Sequence, residues 1–114
     1  MIIVSRVLLA LFTFNNKRVS AMALWPIILL KDTQAKENRF IINHEKIHHR
    51  QQLELLLIPY YLWYFAEYWI GMIKFKFNHH KAYMNISFEK EAYANQNNLN
   101  YLKERKWLAS WKYL

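Results

Sequence analysis

The run Asn43-His44-Glu45-Lys46-Ile47-His48 holds two histidines four residues apart, with a glutamate beside the first. On a helix that spacing brings both imidazoles out of one face about one turn apart, so both can reach a single ion. Glu45 lies one residue round from His44, where a carboxylate can take a proton from water activated by a metal. The chemistry implied is metal-assisted hydrolysis. The chain has no cysteine, so any ion must be held by histidine and carboxylate. Two histidines from one helix take a third protein ligand from elsewhere and leave the fourth position to water, and such a set favours zinc. Glu67, Glu89 and Glu91 are the candidates, because Glu104 lies far along a charged segment. The plainer reading makes His44 and His48 ordinary polar residues on a basic helix, beside His49 and Arg50.

The elements that must position these residues are written in the composition. At 114 residues the chain is long enough for one modest core, and a single domain over 1–114 is expected. One glycine and two prolines leave few breakers, which argues for long helices and few tight turns. The formal net charge is +8, with 8 Lys or Arg before residue 60 and 8 after it. No Arg-rich run stands out, so nucleic acid is not the expected partner. Aromatic residues make up 18% of the chain, and a basic, Trp- and Tyr-rich surface suits an anionic membrane interface better.

Met1 to Phe14 is mostly apolar and shorter than the ~20 residues a spanning helix needs. A strand or a short buried helix is expected there, with a turn at Asn15-Asn16. Ala21-Met22-Ala23 weakly resembles a signal-peptidase site, but Lys17 and Arg18 stand between it and the apolar stretch. Val19 to Lys31 contains Pro26 and reads as an edge strand, where a missing N–H costs no ladder bond. An extended peptide could pair with such an edge, though a strand packed on the core is the favoured reading. Asp32 or Asn38 is placed to cap the motif helix.

From Arg39 the helical pattern continues past Leu53 into a very apolar segment. Between Leu53 and Ile73, 21 residues, the only formal charges are Glu54 and Glu67. That is long enough to cross a bilayer, yet Pro59 should break the helix near Leu57-Ile58, and Tyr60, Tyr61, Tyr64 and Tyr68 would place hydroxyls in hydrocarbon. Glu67 at that depth would need a partner or a cavity. A membrane-inserted segment, an interfacial helix and a core helix all remain open. Asn78 to Lys81 reads as a polar turn carrying His79-His80. A further helix is expected from about Phe88, and Trp107, Trp111 and Tyr113 with Lys106 and Lys112 look like a second interfacial patch.

His44-Glu45-x-x-His48 followed by Phe88-Glu89-Lys90-Glu91-Ala92-Tyr93 resembles the gluzincin-type zinc metallopeptidases, in which a later helix carries a Glu-x-Glu-Ala motif. It is also similar to a group of small membrane-associated proteins with His-Glu-(Lys/Arg)-Ile-His and Phe-Glu-(Lys/Arg)-Glu-Ala-Tyr. The resemblance covers the two motifs and their order. It implies Zn2+ held by His44, His48 and Glu89, Glu45 as the catalytic base, and Glu91 and Tyr93 in support. Tyr93 stands where many of these enzymes have an acid that orients a histidine. Tyr83 or Tyr93 could donate a hydrogen bond to an oxyanion.

The expected fold is mainly α, with α+β possible: a zincin-like helix pair with a small N-terminal β hairpin or edge strand. The expected function is a zinc-dependent metallopeptidase acting on peptide at a membrane, in a bacterium the inner one. The alternative is a non-catalytic accessory subunit of a larger membrane protein complex.

Overall fold

In the computed structural model, residues 1–12 and 20–114 are described, so Asn15-Asn16, Lys17 and Arg18 lie outside the described residues. The N-terminal stretch forms a strand and a short helix in succession, but the helix is not the buried one expected: Val7 is 71% and Leu11 68% exposed, and Leu9 is the side chain it turns into the core. Strand β1 (Ile2–Val4) leads directly into helix α1 (Arg6–Phe12). The described part of Val19 to Lys31, from Ser20 onward, departs from the single edge strand with an internal proline. It forms a hairpin, β2 (Ala21–Leu24) and β3 (Ile27–Leu30), with Trp25 and Pro26 in the turn between them. The turn is where a residue without an N–H leaves no ladder bond unmade.

The sheet order is β1-β3-β2, with β1 parallel and β2 antiparallel to the central β3. Strand β2 is therefore an edge, as the sequence suggested for this region. Because Lys31 N–H bonds to Ser20 C=O, the antiparallel alternation turns the backbone groups of Ala21 and Ala23 away from β3.

Two capped helices follow. Asp32 accepts from Ala35 N–H and starts α2 (Thr33–Glu37), and Asn38 accepts from Phe40 and Ile41 N–H and starts α3 (Arg39–Leu55), the motif helix. Helix α3 ends at Leu56, which turns the chain with φ 61°. Helix α4 (Leu57–Lys74) then begins with Pro59 in its first turn, where no intrahelical N–H bond is lost. The break expected at Leu57-Ile58 thus falls one residue earlier and separates two helices. Helix α4 has 18 residues, and no helix among the described residues is long and apolar enough to cross a membrane.

Asn78 to Lys81 is not a turn. Asn78 accepts from Lys81 N–H and caps a short helix, α5 (His79–Met84), so His79 and His80 open its first turn. Helix α6 (Ser87–Asn95) carries the second motif. Helix α7 (Tyr101–Glu104) and a C-terminal 3₁₀ helix (Ala109–Tyr113) complete the chain. The fold is mainly helical with a small three-stranded sheet, as expected.

Two apolar clusters flank α3. Ile28, Leu30 and Ala35 pack with Ile41 and Ile42 on the sheet side. Tyr60, Ile86 and Phe88 pack with Leu55, Tyr61, Tyr64 and Tyr83 on the other. The buried residues of α3 between them are mostly polar: Asn43, His44, Glu45, His48, Gln51 and Gln52 accompany Ile47. Burying polar groups is costly unless each finds a partner, so this face must be organised by hydrogen bonds or an ion.

Candidate metal centre

His44 and His48 leave α3 one turn apart, and α6 lays Glu89 across them. His44 Nε2 lies 3.1 Å and His48 Nε2 3.0 Å from Glu89 Oε1, and the two nitrogens are 3.1 Å apart. All three residues are buried, and this is the one such His, Cys, Asp or Glu group among the described residues.

The outer nitrogens show which atoms carry protons. Gln51 donates its amide to Phe88 O (3.1 Å) and Glu91 Oε1 (3.0 Å), which leaves its oxygen facing His48 Nδ1 at 2.8 Å. An amide oxygen has no proton to give, so Nδ1 carries one and the neutral ring presents a lone pair at Nε2. Gln96 Oε1 does the same for His44 Nδ1 at 2.7 Å. A ligating histidine is oriented in this way, by an acceptor on its far nitrogen.

Three lone-pair atoms therefore converge in a nearly equilateral triangle. Ligands bound 2.0–2.1 Å from a tetrahedral zinc lie about 3.3 Å apart, so this donor set fits that ion both in chemistry and in spacing. In the metal-free protein protons must do the work of the cation. Burial disfavours charge on His48, but Glu89 outweighs it and lifts the ring to about 9. Burial likewise works against the Glu89 carboxylate, yet His48 and His44 hold it well below the usual carboxylate range.

Helix α4 adds a layer the sequence reading did not assign. Tyr64 donates to the second oxygen of Glu89 at 2.8 Å, and Tyr60 OH lies 3.4 Å from His48 Nδ1. Asn43 donates its amide to the carbonyls of Gln96 (2.8 Å) and Asn98 (3.0 Å) and so ties the motif helix to the end of α6. A signal for part of this was present: His44, His48, Gln51 and Gln52 form one polar stripe at helical spacing.

The other expected residues have definite places. Glu45 lines a cavity of about 240 Å³ together with His44, Ser20, Ala21, Ile41, His79, His80, Tyr83, Tyr93 and Gln96. Its carboxylate makes no hydrogen bond among the described residues, and burial pushes its pKa up, against the pull of His48 and His44. Tyr93 packs edge-on against the His44 ring at 4.5 Å and meets Tyr83 OH at 3.3 Å, supporting the histidine by ring contact instead of by an acid.

Glu91 faces away from the triad. It accepts from Gln51, from Tyr101 (2.7 Å) and from Arg105 Nε (2.5 Å), and Arg105 also forks onto Glu54 at 2.6 and 2.8 Å. Glu67 accepts from the backbone N–H and the hydroxyl of Ser87, so it serves the first turn of α6. Glu89 alone of the three candidate acids joins the histidines.

Beside the cavity, Gln52 bridges β2 to α3 by donating to Ala23 C=O (3.0 Å) and accepting from Trp25 N–H (2.9 Å). The N–H and C=O of Ala21 turn outward at the cavity wall and have no partner among the described residues. Comparison with protein-family models, curated proteins and solved structures gave no match to this chain.

Proposed function

We propose that the protein is a zinc-dependent metallopeptidase. The observation that carries this reading is the convergence of His44 Nε2, His48 Nε2 and Glu89 Oε1 to 3.0–3.1 Å of one another, with the outer ring nitrogens committed to Gln96 and Gln51. Bound zinc would polarise the scissile carbonyl and lower the pKa of water to about 7.

The remaining roles belong to the chain. Glu45 takes a proton from the attacking water and returns it to the leaving amine; its raised pKa brings it toward the range useful for a general base. Tyr64 and Gln51 hold the ligands in place, so the triad needs little rearrangement to act. Tyr83 and Tyr93, both on the cavity wall, are the candidate hydroxyls for donation to an oxyanion. The outward N–H and C=O of Ala21 favour a peptide bound in extended form, pairing its backbone with β2.

The test is cleavage of an unfolded protein substrate by the zinc-loaded chain. Glu45→Gln is expected to keep zinc and lose at least about a hundredfold in rate. Cleavage that survives Glu45→Gln unchanged contradicts the assignment, and zinc binding without cleavage in the wild type points to the non-catalytic alternative.

A further inference from the structure

Helix α4 is two-faced. Tyr60, Tyr64, Glu67 and Gly71 form its inner stripe, reaching His48, Glu89, Ser87 and Ala82 in turn. Its outer stripe is apolar and uncovered: Ile58 is 73% exposed, Leu62 67%, Phe65 55%, Trp69 55% and Ile73 74%. Glu67, the only charge between Leu57 and Ile73, is spent on Ser87 inside the fold. A helix that turns its acid inward and a continuous apolar stripe outward is not built to face water.

We propose that the outer face of α4 is a membrane-docking surface that lies flat in the headgroup region of an anionic bilayer, with Lys74 and Lys76 on the lipid phosphates. Three observations select this occupant. Among the described residues no helix is long and apolar enough to cross a membrane, and a two-faced helix with one apolar stripe is the kind that lies in the interface. Trp63 and Trp69 are both about half exposed on it, and indole rings favour the headgroup level. Exposed Lys74 and Lys76 close its C-terminal end on a chain of net charge +8. A second copy docked on this face would bring another +8 toward it, whereas anionic lipid brings the opposite charge. The surface is independent of the zinc chemistry and holds whether or not the chain cleaves peptides.

The test is co-sedimentation of the full chain with vesicles of phosphatidylcholine mixed with phosphatidylglycerol, and of phosphatidylcholine alone. Partition onto the mixed vesicles is expected to fall by more than about tenfold in Lys74→Glu/Lys76→Glu, since each lysine near an anionic surface contributes about fivefold. Leu62→Asp/Ile73→Asp is expected to abolish it. Far-UV circular dichroism of each variant verifies folding, which these exposed positions leave intact. Absence of wild-type partition onto mixed vesicles, or undiminished partition of both variants, overturns the proposal. A lipid-independent dimer dissociated by Leu62→Asp/Ile73→Asp overturns it in favour of a second copy. Cleavage of a soluble peptide without vesicles is expected to be the same in all these variants, so a negative result here leaves the peptidase reading standing.

Discussion

Gln51 and Tyr64 decide how well the triad is held, although neither touches the ion's position. Gln51 joins His48, the backbone of α6 at Phe88, and Glu91 in one amide. Gln51→Leu, close to Gln in volume, removes the acceptor that fixes the His48 tautomer and leaves Glu91 short of a donor. A loss of about 10- to 100-fold in zinc affinity is expected, measured by competition with a chromophoric chelator. Tyr64→Phe deletes only the hydroxyl on Glu89 Oε2 and should cost less, about 0.5–1.5 kcal/mol in unfolding free energy, up to about 3 because its acceptor is charged. The two variants therefore separate the orientation of a ligand from general stability. At this scale the sequence was most informative about the residues whose spacing is local. His44, Glu45 and His48 are fixed by one turn of helix, and Glu89 by a second short motif. Gln96, Tyr60 and Tyr64 depend on tertiary approach between helices, which spacing does not encode, whereas Gln51, three residues after His48, left its trace in the polar stripe on α3.

Helix α4 shows how one segment can hold two environments. Its tyrosines and Glu67 count against burial in hydrocarbon, and that argument assumes the whole segment shares one environment. In the fold they occupy the inner stripe and the apolar residues the outer one. Gly71, the only glycine, completes the inner stripe by letting α5 approach: a Cβ there would lie 3.0 Å from Ala82 Cα. Gly71→Ala is expected to destabilise by about 1–3 kcal/mol through overpacking, read from urea unfolding. The choice between a hairpin and a single edge strand, which the sequence left open, and the α5 helix, which it did not expect, have local explanations. A turn of Trp25 and Pro26 carries no glycine signal, and Asn78 followed by two histidines reads as polar loop until its cap is seen.

The C-terminal elements are tied down by a buried ionic cluster. Arg105 pairs with both Glu54 of α3 and Glu91 of α6, with no side-chain exposure. Arg105→Ala leaves two buried carboxylates without their cation and should cost about 3–5 kcal/mol. The cluster also sets an acid sensitivity. Burial works against the Glu91 carboxylate, but hydrogen bonds from Arg105, Tyr101 and Gln51 outweigh it and hold its pKa below the usual carboxylate range. A depressed carboxylate contributes stability above its unfolded pKa and loses it as pH falls through the folded one. The wild type should therefore lose stability progressively below pH ~4.5, followed by thermal unfolding at a series of pH values. A flat profile through that range would contradict the cluster's assigned role.

For the whole molecule, the site lies between two small apolar clusters instead of within one large core. The face of α3 that joins them is polar, so an ion that links α3 to α6 should stabilise the entire fold. Zinc at a hundredfold excess over its Kd is expected to add about 2.7 kcal/mol, roughly 10 °C in Tm, and chelation should reverse it. The measurement that tests the central claim most directly is the zinc content of the purified chain by elemental analysis, for wild type, Glu45→Gln and His48→Ala, without chelators at any step. The triad predicts about one zinc per chain in the first two and almost none in the third. Wild-type protein that is folded yet takes up no zinc, or His48→Ala that retains it, would contradict the account.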